Sequence, residues 1–222
     1  MVSRDDTDTD LLEYPDPLPV FPLPGAVLLP GTQMPLHIFE ERYRKMFADS
    51  LDSHGFVGMI QPQGEELTGT PKLFSVGCLG RIIASRQTPD GRYYVLLEGV
   101  LRFGVKSEIQ GEEDLLYRLV EPDYQAYGGD RSPWQGDQPD RTEVLRCLDA
   151  FMERRQLSLN REVLDELADG EVVDTLAVAL PFGTLDKQAL LEAEDKAARY
   201  RLLLALLTLA SFETSEWSSL PQ

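Results

Sequence analysis

The chain has 222 residues, 42 % of them hydrophobic, enough to bury a core in one large or two small domains. Its formal net charge is −17, which opposes contact with phosphate backbones, because nucleic-acid-binding domains carry a basic surface. We therefore expect no nucleic-acid partner. The simplest role of this negative charge is to keep the protein soluble, and attraction of basic partners is the alternative.

Both ends of the chain have the composition of tails. Residues 1–16 are acidic without an apolar period, and residues 214–222 are mostly polar, so we expect a disordered tail at each end. The acidic start lacks the basic segment of a signal peptide, and the apolar run Leu202–Ala210 is shorter than the ~20 residues of a membrane-spanning helix. These features predict a cytoplasmic protein without a membrane segment, with Cys78 and Cys147 reduced.

The stretch "PLPVFPLPGAVLLPGTQMPLHIFEERYRKMF" begins at Pro17 and is rich in both proline and apolar residues. Proline cannot donate a backbone hydrogen bond to a central strand, so prolines belong at strand ends and turns. We predict buried strands at Val20–Phe21 and Ala26–Leu29, with a turn after each. The residues placed at the strand ends are Pro22, Pro24 and Pro30.

A helix is predicted next, starting at Phe39, because five apolar residues recur there at helical spacing. They are Phe39, Tyr43, Met46, Phe47 and Leu51. Residues 34–38 are expected to lead into this helix.

Strands are predicted for the rest of residues 17–124. "FVGMIQP" from Phe56 indicates a short strand, and "FSVGCLGRIIASRQTPDGRYYVLLEGVLRFGV" indicates two long strands around a turn at Pro89–Gly91. A last strand from Leu115 is expected to stop at Pro122. Strand glycines are typical of bulges and barrel corners; here they are Gly77, Gly80, Gly99 and Gly104.

Residues 125–139 are rich in Gly and Pro without a period, which predicts a linker. Trp134 within it is expected to pack on a domain surface, and a contact with a partner is the alternative. Residues 140–213 are predicted to be helical throughout, opening with Asp140 and Glu143 at capping-box spacing.

Four more helices are predicted in this region. Asn160 is expected to cap the second helix, which carries Val163, Leu164 and Leu167 and ends at Gly170. The third helix is expected to stop before Pro181. A short helix and a long, largely apolar helix follow.

Catalytic and ligand-binding motifs are missing from the sequence. It has no Gly-Lys dipeptide for a P-loop and no G-x-S-x-G, H-E-x-x-H or C-x-x-C motif. His37 and His54 are separated by a predicted helix, and His37 is expected to be packed and hydrogen-bonded. Lys106 and Ser107 are neighbours on a strand and point to opposite faces, which argues against a Ser–Lys dyad. We therefore expect no catalytic residue, no cofactor and no metal.

Three blocks of the chain resemble one family. They are "LPVFPLPGAVLLPGTQMPLHIFEERYRKMF", the two-strand block quoted above, and "DTLAVALPFGTLDKQALLEAEDKAARYRLLLALL". In this order they resemble the amino-terminal, substrate-binding domain of ATP-dependent Lon proteases. The resemblance implies an α+β fold: a PUA-like β-barrel of LON type followed by a C-terminal helical bundle. It also implies a stand-alone domain, because the ATPase and Ser–Lys protease modules are missing, so we expect no enzyme activity despite the peptidase S16 name.

The resemblance further implies recognition of unfolded or specific protein partners, linked to proteolysis or protein quality control. An apolar surface bordered by charge is needed for such capture. A groove between barrel and bundle, with Trp134 at its edge, is one candidate surface. The other lies near the start of the first helix, with Met34, Leu36, Phe39 and Tyr43 as candidate contact residues. Packing in the core is the competing role for each. The alternatives are an RNA-binding PUA-like module, which the charge opposes, and a small-ligand-binding module.

Overall fold

A computed structural model of the protein describes residues 14–64, 71–109, 115–131, 134, 139–158 and 161–212. The strands are β1 (Leu18–Pro22), β2 (Gln33–Ile38), β3 (Phe56–Pro62), β4 (Leu73–Gln87), β5 (Tyr93–Ile109) and β6 (Arg118–Asp123). The helices are α1 (Glu41–Asp52), a 3-10 helix at Gln125–Arg131, α2 (Arg141–Arg155), α3 (Arg161–Asp165), α4 (Asp169–Ala179), α5 (Thr184–Glu192) and α6 (Lys196–Phe212). The fold is therefore α+β, as expected.

The strands form one mixed sheet in the order β2-β5-β4-β3-β1-β6. The β1–β3 pair is parallel and the other pairs are antiparallel. β6 lies beside β1 and also pairs with the end of β5, where Glu108 faces Val120. Along the described part of the chain, no helix is both long and apolar enough to cross a membrane.

The β4–β5 hairpin confirms the prediction of two long strands around a turn. Gly91 has a φ of +80° and donates its backbone N–H to the Thr88 carbonyl at 2.9 Å. The register shifts next to Gly80, which faces Gly99, so a bulge occurs at one of the predicted glycines. Both strands can bend at this point.

The predicted strand at Ala26–Leu29 is wrong. This segment crosses the sheet as a loop, and its Val27, Leu28 and Leu29 side chains are buried. The crossing depends on Gly99 of β5, because a Cβ at that position would lie 2.0 Å from the Leu29 carbonyl oxygen. The hydrophobic residues of this segment are buried because its backbone packs closely against Gly99, a contact between distant positions that local sequence patterns do not reveal. The turns on either side, at Pro24–Gly25 and Pro30–Gly31, are as predicted.

β2 was not predicted as a strand, and it contains Pro35. In the described sheet β2 is an edge strand paired only with β5, a position that tolerates proline. Its residues alternate, so Met34, Leu36 and Ile38 point toward the core and His37 points to solvent. The expectation of a packed His37 is therefore wrong; its ring stacks on Tyr94 at 4.7 Å on the exposed face.

α1 begins at Glu41, two residues later than predicted. Phe39 lies in the extended segment before the helix and is 59 % exposed, so its spacing to Tyr43 does not place it on the buried helix face. Leu51 is also exposed. The face that packs on the sheet consists of Tyr43, Met46, Phe47 and Ser50. The last strand differs as well: β6 starts at Arg118 and passes through Pro122 to Asp123.

The helical region follows most of the predicted boundaries. Asp140 caps α2 by accepting from the N–H groups of Thr142 and Glu143, and α4 ends before Pro181. Asn160 lies outside the described residues. The prediction that Gly170 ends the second helix is wrong, because α3 ends at Asp165 and Gly170 lies in the first turn of α4. Val163 on α3 is exposed.

A buried arginine joins the sheet to the helices. Arg102 of β5 forms an ion pair with Asp130 at 2.7 Å, and the two side chains are only 3 % and 7 % exposed. The same guanidinium donates to the carbonyls of Leu191 and Ala193 at the end of α5 and lies 4.4 Å from the ring centre of Tyr127. The segment predicted to be a linker is thus anchored through Asp130. Both cysteines, Cys78 and Cys147, are buried free thiols.

Candidate functional site

A groove of about 330 Å³ lies where the end of β1, β2, the start of α1 and the start of β6 meet. Its lining is mainly apolar and aromatic. The lining residues are Phe21, Pro22, Leu23, Pro24, Leu36, His37, Phe39, Glu40, Arg42, Tyr43, Pro71, Leu116, Tyr117 and Arg118.

Tyr43 is held in place by two contacts. The Phe21 and Tyr43 rings meet edge to face at 4.4 Å between centroids, and the Arg42 guanidinium lies 4.5 Å from the ring centre of Tyr43. The ring is buried, and burial raises the pKa of Tyr43, so the hydroxyl stays neutral at physiological pH. With no hydrogen bond to any other described residue, this hydroxyl can donate to or accept from a ligand in the groove.

Tyr117 is the second aromatic ring whose polar end is fixed. Its hydroxyl donates to Asp49 Oδ2 on α1 at 2.8 Å. Burial, followed by the hydrogen bond and the negative charge of Asp49, raises the pKa of Tyr117 to about 12. This contact ties the segment before β6 to α1, and both elements border the groove.

The charges at the groove rim are paired. Arg42 contacts Glu40 at 2.8 Å, and Arg118 contacts Glu108 at 2.6 Å. Arg118 also donates to the carbonyl of Pro71 at 2.8 Å. The groove therefore has an apolar interior and a rim in which each arginine already has a carboxylate partner.

The groove wall formed by Leu23 and Pro24 is held in place by hydrogen bonds on the side away from the groove. Gly25 donates its backbone N–H to Gln61 Oε1 at 2.9 Å, and the fully buried Gln61 donates to the Thr184 carbonyl and to Gln188 Oε1, each at 3.0 Å. The wall is thus bonded through β3 to α5, and this should limit its movement when a ligand enters.

The structure brings together three of the five residues predicted as contacts. Leu36, Phe39 and Tyr43 line the groove, whereas Met34 is half-buried on β2 outside it. Trp134 is half-buried against the first turn of α4, where a Cβ on Gly170 would lie 3.0 Å from its ring. It therefore packs on a surface of the fold, as expected, and does not line this groove.

The opposite wall was missed by sequence reasoning. Leu116, Tyr117 and Arg118 are more than 70 residues from Tyr43 in the chain, and the pairing of β6 with β1, in which Arg118 faces Val20, brings them to the groove. No local signal marks them as site residues. Only a correct assignment of this strand pair would have identified them.

The lining can bind but offers little for chemistry. It contains apolar side chains, two phenols, a histidine and paired charges, and it can bury one or a few apolar side chains while the Tyr43 hydroxyl makes a hydrogen bond. Within the described ranges, no three His, Cys, Asp or Glu side chains are placed to hold a metal ion.

Solved structures with a similar fold include two from Lon proteins. The Lon N-terminal domain protein from Xanthomonas campestris is 27 % identical with a TM-score of 0.57, covering 85 % of this chain and 96 % of that one. The N-terminal domain of the Mycobacterium avium complex Lon protease has a TM-score of 0.58 over 86 % of this chain and 97 % of that one. At 19 % identity, the second likeness shows the fold alone.

Curated proteins similar in sequence are also Lon proteases. The chain is 21 % identical to the Lon protease of Cytophaga hutchinsonii over 211 residues and 25 % identical to that of Escherichia coli K12 over 201 residues. These alignments cover 92 % and 86 % of this chain but 25 % and 24 % of the relatives, so it spans about a quarter of their length. The model of one protein family matches residues 17–208. The chain therefore belongs to the ATP-dependent protease La (LON) substrate-binding domain family.

Proposed function

We propose that this protein is a non-catalytic recognition module that binds apolar segments of other proteins in the groove between β2, α1 and β6. The observation that carries the proposal is the position of Phe39, a large apolar side chain 59 % exposed to solvent on the wall of an apolar groove. An exposed phenylalanine beside a concave apolar surface gains free energy when a partner covers it.

The family supports this function, because its description names a substrate-binding domain of an ATP-dependent protease. The relatives are whole Lon proteases, so a link to proteolysis or protein quality control in the cytoplasm is part of the proposal. Unfolded chains, or specific proteins with an exposed apolar segment, are the proposed partners.

We also propose the finer architecture implied by the resemblance. The pairing of β6 with both β1 and β5 supports a PUA-like barrel over residues 17–124. The packing of α6 on α2, α4 and α5 supports a helical bundle over residues 140–213, with 125–139 as the connection.

The direct test is fluorescence anisotropy with a labelled, permanently unfolded model protein. We expect the wild-type chain to bind it and Phe39→Ser to weaken binding about fivefold or more, as expected for an aromatic contact residue. Leu185→Ser is the matched control, because Leu185 on α5 is 74 % exposed and lies outside the groove lining. Absence of binding by the wild-type chain, or equal losses in both variants, would refute the proposal.

A further inference from the structure

The interior of the groove carries no net charge. The arginines of its lining have carboxylate partners: Arg42 with Glu40 at 2.8 Å and Arg118 with Glu108 at 2.6 Å. Both arginines of the lining are therefore neutralised, while the exposed Lys72, which follows the lining residue Pro71, makes no ion pair with a described residue.

The surroundings of the groove are negative. The chain has 38 acidic and 21 basic residues, a formal charge of −17, so the field outside a neutral groove is set by the excess of carboxylates. One further carboxylate is adjacent in the chain to residues of the lining. Glu41 is exposed, makes no ion pair with a described residue and stands between Glu40 and Arg42, both of which line the groove.

The aromatic groups of the groove are suited to a cation as well as to apolar side chains. Arg42 lies 4.5 Å from the ring centre of Tyr43, a cation–π contact within the chain that already covers one face of this ring. The exposed ring of Phe39 offers a further aromatic face to a partner.

We propose that the preferred partner is an extended apolar segment flanked by lysine or arginine, an inference that rests on the proposed function of the groove. The apolar part of the segment enters the groove, and its basic flanks lie in the negative field outside, near Glu41. Long-range attraction mainly raises the association rate and weakens with salt. Acidic apolar segments are disfavoured by the same field.

The test compares three labelled peptides with the same apolar core, flanked by lysine, serine or glutamate, in fluorescence anisotropy at low and high salt (about 50 and 500 mM). At low salt we expect the lysine peptide to bind about tenfold tighter than the serine peptide and the glutamate peptide to bind weakest. At high salt the three affinities should converge. Phe39→Ser should weaken the lysine peptide and the serine peptide alike.

Glu41→Gln should weaken the lysine peptide about twofold at low salt, whereas Glu166→Gln, the same charge change at an exposed residue outside the lining, should not. Equal affinities of the lysine and serine peptides, with both lost in Phe39→Ser, would overturn the preference for basic partners and leave the proposed function standing. No binding of any peptide would overturn both. If Phe39→Ser leaves the affinity for the lysine peptide unchanged, the peptide binds outside the groove. This result would overturn both the preference for basic partners and the proposed function.

Discussion

Replacing Arg102 by methionine should lower the free energy of unfolding by about 3–5 kcal/mol, the range found when one partner of a buried ion pair is removed. The estimate applies because both side chains are more than nine-tenths buried, at 3 % and 7 % exposure. Asp130 would be left as a buried charge without its cation. The carbonyls of Leu191 and Ala193 at the end of α5 would lose their donor as well.

The assay is urea unfolding followed by circular dichroism, with Arg81→Met as the matched control. Arg81 pairs with Glu98 at 2.7 Å, but at 47 % and 30 % exposure. Removal of such an exposed pair should therefore change stability by no more than about 1 kcal/mol. A double variant with Asp130→Leu should lose less than the sum of the two single variants, because it leaves no unpaired charge behind.

Hydrogen exchange should locate the damage. Amides of the 3-10 helix at Gln125–Arg131 and of the end of α5 should exchange faster in Arg102→Met, because this side chain holds both segments against β5. A stability within 1 kcal/mol of the wild type, or additive losses in the double variant, would refute the view that the pair joins sheet and helices.

Two further predictions concern packing and pH. Gly99→Ala should lower stability by about 2 kcal/mol or more, since its Cβ would lie 2.0 Å from the Leu29 carbonyl oxygen, while Gly104→Ala, with its nearest neighbour at 3.6 Å, should melt close to the wild type. Equal melting temperatures of the two variants would contradict this. Burial lowers the pKa of Lys187 from its ordinary value of 10.5, so the unfolded chain binds more protons just below that pH and stability should rise as the pH increases toward 10.5. Urea unfolding across this range should show a flatter rise for Lys187→Met; an unchanged slope would rule out Lys187 as the cause.

Local signals were sufficient for many elements. Pro89–Gly91 marked the hairpin between β4 and β5, and Asp140 marked the start of α2. These signals work because a turn or a helix cap is made by residues within a few positions of one another.

The errors arose where burial came from distant residues. Ala26–Leu29 has the hydrophobicity of a strand. Its last carbonyl, that of Leu29, accepts a hydrogen bond from the nearby Thr32 N–H, and the segment is buried where it crosses β5 at Gly99. Pro35 discouraged the assignment of β2, and only the strand order shows that it lies at an edge. Hydrophobicity indicated that these segments are buried, but it could not show which distant residues cover them.

The candidate site divides in the same way. Leu36, Phe39 and Tyr43 are close in the chain and could be grouped from sequence, whereas the wall at Leu116–Arg118 depends on the pairing of β6 with β1. Phe39 was assigned to the core face of a helix and is instead one of the exposed apolar residues of the groove.

The sequence by itself determined the family, the α+β composition and the positions of most helices and strands, because these depend on short-range patterns and on motif spacing within three blocks. Only the tertiary structure decided where the groove lies and how the sheet is joined to the helices. Arg102 reaches Asp130 across 28 positions, in a stretch whose composition predicts a linker, and Gln61 reaches Gln188 across 127. Such contacts form because buried polar groups must find partners wherever the folded chain places them, and no local pattern specifies that place.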